Sequence, residues 1–183
     1  MSNTTKIYFI TGVCGTGKTT VLSILKNILP KDLYDLHDLD ERGVPKNGGR
    51  QWRLEETKHF ISVGKENAEK GIVTIISGFF RPSEIKDIAP DQENAHFILL
   101  DADSNTVEKR IHDRYSTEES RKKFTDKHGK TVEQFVQENI SFTDTIRAEA
   151  REYDNTIIDT NNKTPEMVAR EVAGVVKALT AGI

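Results

Sequence analysis

The segment at residues 12–20, GVCGTGKTT, constrains the fold of this chain more than any other feature. It fits the pattern G-x-x-x-x-G-K-[ST], in which glycines let backbone N–H groups turn inward and cradle phosphate oxygens. Lys18 can then reach the β- and γ-phosphates of a nucleotide, and the Thr19 hydroxyl can hold Mg²⁺. The pattern predicts a bound triphosphate, with contacts from Gly12, Gly15, Thr16, Gly17, Lys18, Thr19 and Thr20.

The residues on either side of this loop fit a position between a strand and a helix. Residues 6–11 are mainly β-branched and aromatic, which predicts a short buried strand. Residues 19–29 carry apolar side chains at helical spacing, and Pro30 follows as a stop signal. The order matters because a helix N-terminus adds unpaired N–H groups and a favourable dipole to a phosphate site. The alternative is a glycine-rich turn that binds nothing.

Apolar runs alternate with helical patterns along the rest of the chain. Strands are predicted over residues 6–11, 33–39, 72–76, 96–100 and 156–158, and helices over 19–29, 51–70, 83–88, 104–115, 131–152 and 165–179. Repeated βα units favour a parallel sheet with helices on both faces. Ligands of such sheets bind at the carboxyl ends of the strands, so the residues that follow each strand are the candidates for a site.

Composition narrows the classes of protein. A chain of 183 residues suits one domain, which we take as residues 1–183. The net charge of −3 argues against nucleic acid as a partner. Cys14 is the single cysteine, which favours a reducing, cytoplasmic location. The longest apolar runs are too short to cross a membrane, and the N-terminal residues do not resemble a signal peptide.

Two carboxylates, Asp38 and Asp40, follow the second predicted strand. Their alternate spacing points both to one side if the chain is extended there. One of them could hold Mg²⁺, and the other could orient an attacking hydroxyl or accept its proton. A solvated acidic turn or a helix cap is the alternative. The strand before Ser77 lacks the usual terminal Asp, so we expect Thr19 and the Asp pair to hold the metal.

Arginines near the predicted strand ends suggest an anionic acceptor. Arg81 could grip an anion by a bidentate contact, or could pair with Glu84 on the surface. Arg53 belongs to a group of arginines around a glycine-containing loop, within a region at about residues 40–70 that we assign to the acceptor. Trp52 in that region could stack on a ring or serve as a packing anchor.

The fourth βα unit and the stretch after it are rich in charge. Asp101 and Asp103 are expected to cap the following helix, and Arg110 and Arg114 lie on one face of it. Residues 116–152 then form a basic helix–break–helix pattern that predicts a lid over the phosphates. A solvated helical hairpin is the alternative.

Taken together, these pieces resemble the P-loop small-molecule and nucleoside monophosphate kinases. The resemblance is carried by residues 12–20, the Asp38-Leu39-Asp40 cluster, the helix at 107–114 before a basic lid, and the segments 157–160 and 164–166. It implies a three-layer α/β/α P-loop NTPase fold with a helical lid and a five-stranded parallel sheet in the order 2-3-1-4-5. The spacing of the two aspartates is most similar to shikimate and gluconate-type kinases.

That resemblance also implies roles for particular residues. Asp38 would serve Mg²⁺, Asp40 the acceptor hydroxyl and Arg110 the adenine. Arg114 would bind the phosphates, with Arg121 as a further candidate for them. We take Lys18, Asp38, Asp40 and Arg114 as catalytic candidates, and Asp40, Arg53, Arg81 and Arg147 as acceptor-binding candidates. The triple-glycine segment of shikimate kinases is absent after the third strand, where residues 77–80 read SGFF, so the acceptor is not identified.

The expected function is transfer of the γ-phosphoryl group of Mg-ATP to a small anionic or hydroxylated acceptor, by a monomer or homodimer. A nucleoside or nucleotide kinase, a nucleotide-binding ATPase and a nucleic-acid end kinase are the alternatives. A GTPase switch fits poorly, because Ser77-Gly78 stands where Asp-x-x-Gly is needed and the 162–165 segment lacks its closing Asp.

Overall fold

Five parallel strands form the centre of the protein, whose computed structural model describes residues 7–46, 48–89, 95–153 and 155–181. The strands are β1 (Ile7–Thr11), β2 (Tyr34–Asp38), β3 (Val73–Ser77), β4 (Ala95–Asp101) and β5 (Thr156–Asp159). Their order across the sheet is β2-β3-β1-β4-β5, which confirms the predicted order. Lys6, the predicted first residue of the first strand, lies outside the described residues.

The helices for which a range was predicted follow it to within two residues at each end. The helices are α1 (Lys18–Ile28), α2 (Arg50–Glu69), α3 (Pro82–Ile88), α4 (Ser104–Arg114), α5 (Glu118–His128), α6 (Val132–Glu152) and α7 (Pro165–Ala181). Of these helices, α5 is the first of the pattern predicted over residues 116–152. None of those that the structure describes is both long enough and apolar enough to cross a lipid bilayer.

The core lies on both faces of the sheet, because successive side chains of a strand point in opposite directions. From β1, Tyr8 and Ile10 pack with apolar residues of α1 and α7. The alternate residues Ile7 and Phe9 pack with residues of α2 and α3 on the other face. The result is the predicted three-layer α/β/α arrangement, in which the sheet lies between two layers of helices.

The helical pair α5–α6 is joined at Gly129, whose φ of 67° ends α5 in a left-handed turn. Thr117 and Thr131 cap the two helices through reciprocal capping boxes. Val132 and Ile146 of α6 are buried with residues of β4 and α4. α6 is therefore part of the hydrophobic core. This differs from the solvated hairpin that was the alternative for residues 116–152.

Candidate functional site

The loop between β1 and α1 has the backbone that its glycines permit. Gly12, Gly15 and Gly17 have φ angles of 151°, 87° and 94°, in the region that side chains disfavour. A Cβ at Gly12 would lie 2.5 Å from the carbonyl oxygen of Leu100, so a larger residue does not fit there. Gly17 is the N-cap of α1, which places the start of the helix directly behind the loop. The loop and the helix N-terminus thus form one anion-binding cradle.

Lys18 is folded back onto the loop. Its Nζ donates hydrogen bonds to the carbonyl oxygens of Gly12 at 2.8 Å and Val13 at 2.9 Å. Burial lowers the pKa of Lys18, while the charges of nearby acidic groups, including Asp38 and Asp40, act to raise it. The ammonium group is therefore held at the floor of the cradle by neutral carbonyls, which a charged oxygen can replace.

A first cavity, of about 280 Å³, lies between this loop and α4. Its walls are Cys14, Gly15, Gly17, Lys18, Thr19, Thr20, Arg110, Ile111 and Arg114. Arg110 donates to the Gly15 carbonyl at 3.2 Å and to the Thr160 carbonyl and hydroxyl oxygens at 2.9 and 3.0 Å. Arg110 therefore links the loop to the segment between β5 and α7, at the edge of the cavity.

A second cavity, of about 360 Å³, lies on the other side of the loop. It is lined by Gly12, Cys14, Lys18, Thr19, Asp38, Leu39, Asp40, Trp52, Arg53, Ser77, Gly78, Phe79, Arg114, Phe135 and Asn139. Cys14, Lys18, Thr19 and Arg114 line both cavities. The two cavities therefore meet at Lys18 and Thr19.

Asp38 and Asp40 are brought together at the second cavity, as their spacing predicts. Asp38 ends β2 and is the register partner of Ser77 on β3. The Asp40 N–H donates to Asp38 Oδ1 at 3.0 Å. Burial raises the pKa of Asp40, and the charge of Asp38 raises it further, while Lys18 acts in the opposite direction. Asp40 is exposed overall, but these surroundings make it a more basic carboxylate than an ordinary aspartate.

Ser77 is the other polar group at this strand end. The residue is 1% exposed, and its Oγ has no hydrogen-bond partner among the described residues. Buried hydroxyl groups normally have a partner, so an unpaired one that lines a cavity indicates a water or ligand position. No group of three or more His, Cys, Asp or Glu side chains that could hold a metal ion occurs within the described ranges.

The three acceptor-binding arginine candidates are each bound to an acidic side chain. Arg53 lines the second cavity and pairs with Glu84, with Nη1 and Oε2 2.6 Å apart. Arg81 pairs with Glu149, and Arg147 pairs with Asp101 at 2.8 Å. Neither Arg81 nor Arg147 is among the residues that line the two cavities.

Two details of these ion pairs correct the sequence analysis. Arg81 does not pair with Glu84, because the shared carboxylate of Glu84 is taken by Arg50 and Arg53 of α2. Asp101 does not cap α4, since both of its oxygens accept from Nε of Arg147. Asp103 is the cap, and it accepts from the Thr106 N–H at 2.7 Å.

Aromatic side chains form a wall of the second cavity, of which the sequence analysis named only Trp52 as a candidate to stack on a ring. Trp52, Phe79 and Phe135 come from α2, the segment after β3, and α6. The Arg53 guanidinium lies 5.1 Å from the centre of the Phe79 ring. Phe79 could have been found from its place just after a strand, whereas Phe135 and Asn139 reach the cavity only through the packing of α6.

The chain is similar to known proteins in sequence and in fold. No protein-family model matches the chain. A protein of Pyrococcus abyssi (strain GE5 / Orsay) with the name "Putative adenylate kinase" is 29% identical over 175 residues, which cover 92% of this chain and 83% of that protein.

Two solved structures superpose on this chain over nearly its whole length. A gluconokinase from Sinorhizobium meliloti 1021 superposes with a TM-score of 0.60 at 15% identity, covering 98% of this chain and 95% of its own. Shikimate kinase from Acinetobacter baumannii, solved with shikimate, gives a TM-score of 0.57 at 15% identity, with 96% and 95% covered. These two kinases share the fold of this chain, which confirms the fold and the strand order that the resemblance implied.

Proposed function

We propose that the protein is a kinase that transfers the γ-phosphoryl group of Mg-ATP to a hydroxyl or phosphate group of a small molecule. The observation that carries this proposal is the meeting of two cavities at Lys18 and Thr19. Transfer between two bound molecules needs two adjoining sites that hold the reacting groups in line. A protein that only binds or hydrolyses a nucleotide would not need the second cavity.

In this proposal the first cavity holds the nucleotide. Its phosphates lie on the loop N–H groups, where Lys18 exchanges its two carbonyl partners for charged phosphate oxygens. Arg114 lines both cavities and would therefore lie beside the phosphoryl group that is transferred. Arg110 forms the edge of the cavity at which the base of the nucleotide would lie.

Thr19 and Asp38 are the residues that would hold Mg²⁺. A Mg²⁺ ion commonly takes one or two carboxylates, with phosphate oxygens and waters as its other ligands, so this small donor set fits it. The unpartnered Ser77 Oγ, beside Asp38 in the same cavity, suits a water of such an ion. When bound, the ion neutralises charge on the phosphates.

Asp40 is the proposed base in the second cavity. Its raised pKa improves its capacity to take the proton of an attacking hydroxyl. Residues 116–152 remain the proposed lid. Its movable part is α5 with the Gly129 turn, because α5 contributes only Phe124 to the core cluster, whereas α6 contributes Val132, Val136, Ile146 and Ala150. Closure would exclude water and so suppress hydrolysis of ATP.

A second candidate is a nucleoside or nucleotide kinase, which the aromatic wall of the second cavity favours. Trp52, Phe79 and Phe135 could hold a planar base by stacking. The 29% identical relative named as an adenylate kinase points in the same direction. A screen of acceptors that includes nucleosides, nucleotides, sugar acids and shikimate, each with Mg-ATP, separates the two candidates.

Lys18→Ala tests the kinase proposal directly. We expect a loss of phosphoryl transfer of at least about a hundredfold, because the variant removes the cation that neutralises the transferring group. Product formation is measured with the best acceptor from the screen, and circular dichroism checks the fold. Lys26→Ala, on an exposed position of the same helix, is the matched control. Full activity of Lys18→Ala would refute the proposal, as would ATP consumption that no acceptor changes.

A further inference from the structure

One N–H group of the phosphate-binding loop is already hydrogen-bonded to a distant side chain. The Cys14 N–H donates to Oδ1 of Asn139 on α6 at 2.7 Å, across 125 residues of sequence. Asn139 is fixed in turn by Nδ2, which donates to the Phe135 carbonyl at 2.8 Å. The amide of Asn139 is therefore oriented with its oxygen towards the loop.

Asn139 occupies a place from which it can change partner. It lines the second cavity and also an adjoining cavity of about 310 Å³ formed by α6 and Phe79. The residue is half-buried, unlike Val136 and Thr143 on the same helix, which are fully buried. A new orientation of the Asn139 side chain therefore leaves the packing of α6 intact.

A phosphate oxygen is a stronger acceptor than a neutral amide oxygen, because a charged partner roughly doubles the strength of a hydrogen bond. Resting on the kinase function proposed above, we propose that Asn139 is a positioning residue that caps the Cys14 N–H in the nucleotide-free protein. A phosphate of the bound nucleotide takes over this N–H and displaces Asn139. Asn139 also lines the second cavity. Its displacement by the nucleotide therefore changes the shape of the cavity that binds the acceptor.

Two substitutions at this position act in opposite directions. Asn139→Ala leaves the Cys14 N–H free, so nucleotide no longer competes with the side chain, and we expect binding roughly two- to tenfold tighter. Asn139→Asp places a carboxylate on the same N–H and beside the phosphates, and we expect binding weaker by about tenfold or more. The measurement is equilibrium titration of a fluorescent ATP analogue with Mg²⁺, which needs no acceptor.

Gln137 provides the matched controls, because it is an exposed residue of the same helix two positions earlier. Gln137→Ala removes an amide and Gln137→Glu converts an amide to a carboxylate away from the loop, and both should leave the affinity within about twofold. Thermal unfolding of the nucleotide-free variants checks their fold. Should Asn139→Ala fail to fold, Asn139→Ser makes the same test with a shorter polar side chain.

A structural role of Asn139 alone would weaken nucleotide binding in both variants, and that result would overturn the proposal. Unchanged affinity in both variants, with normal binding by the unsubstituted protein, would overturn it as well but would leave the kinase function standing. No binding of the analogue by the unsubstituted protein would overturn both.

Discussion

At the residue scale, Asp40 shows how the surroundings of a carboxylate at the cavity change its acidity. Asp38 ends β2 beside Ser77, whereas Asp40 lies in the turn that follows. Burial and the neighbouring charge of Asp38 raise the pKa of Asp40. A raised pKa suits a group that must accept a proton near neutral pH, and it also means that the charge of Asp40 opposes folding.

The sign of this effect can be tested with Asp40→Asn. A folded state that raises an aspartate pKa has its full stability below the unfolded pKa and loses part of it as the pH rises through the folded pKa. We therefore expect the variant to be more stable than the original protein at about pH 8 and to lose this advantage as the pH falls. The measurement is urea unfolding across that range, and phosphoryl transfer by the variant should be abolished.

Asp32→Asn is the control, because Asp32 is an exposed aspartate before β2. It should leave the dependence of stability on pH unchanged. If Asp40→Asn is less stable than the original protein at high pH, the charge of Asp40 stabilises the fold and our account of its pKa is wrong.

At the element scale, Glu84 joins the helices α2 and α3 beside the second cavity. Its side chain is 6% exposed and contacts Arg50 at 2.7 Å and Arg53 at 2.6 Å. Burial acts to raise the pKa of Glu84, but the hydrogen bonds from Arg53 and Arg50 prevail and lower it. The Arg53–Glu84 ion pair holds the Arg53 guanidinium against the Phe79 ring. Glu84 therefore fixes two residues that line the second cavity.

Glu84→Gln should lower the free energy of unfolding by about 3 kcal/mol, because it leaves Arg53 partly buried without a counter-charge. Denaturant unfolding measures this loss. Glu66→Gln, at an exposed position of α2, should change stability by less than about 0.5 kcal/mol. A loss no greater than that of the control would mean that solvent already compensates Arg53.

At the scale of the whole molecule, both cavities lie at the carboxyl edge of one sheet. The loop after β1 divides them, α4 closes the first, and α2 and α6 close the second. The first cavity is lined by residues of α1 and α4, and both helices also carry core residues, so the nucleotide site and the core share elements. Binding of nucleotide is therefore expected to stabilise the entire fold.

A nucleotide present at about 100 times its Kd should stabilise the folded protein by about 2.7 kcal/mol. For a chain of this length we expect Tm to rise by about 5–10 °C. Thermal unfolding with ATP and Mg²⁺ measures the shift, which should shrink when EDTA removes the metal. An equal shift in Lys18→Ala would show that the nucleotide binds away from the loop.

The sequence by itself determined the order and approximate bounds of the described elements. Alternating apolar runs and helical patterns have a local cause, the burial of each strand and of one helix face. The glycines at 12, 15 and 17 specify a backbone that other residues disfavour. The conformation of the loop could therefore also be predicted from its own residues. The meeting of Asp38 and Asp40 followed from the rule that parallel strands end at the same edge.

Only the tertiary structure decided the partners of the long polar side chains. Arg81 meets Glu149 across 68 residues and Arg147 meets Asp101 across 46, and no local pattern announces either pair. The place of Phe135 in the aromatic wall and the contact of Asn139 with Cys14 likewise depend on how α6 packs against β4 and α4. A strand or helix is selected by its own residues, whereas an arginine or asparagine takes whichever partner the packing of distant elements brings within reach.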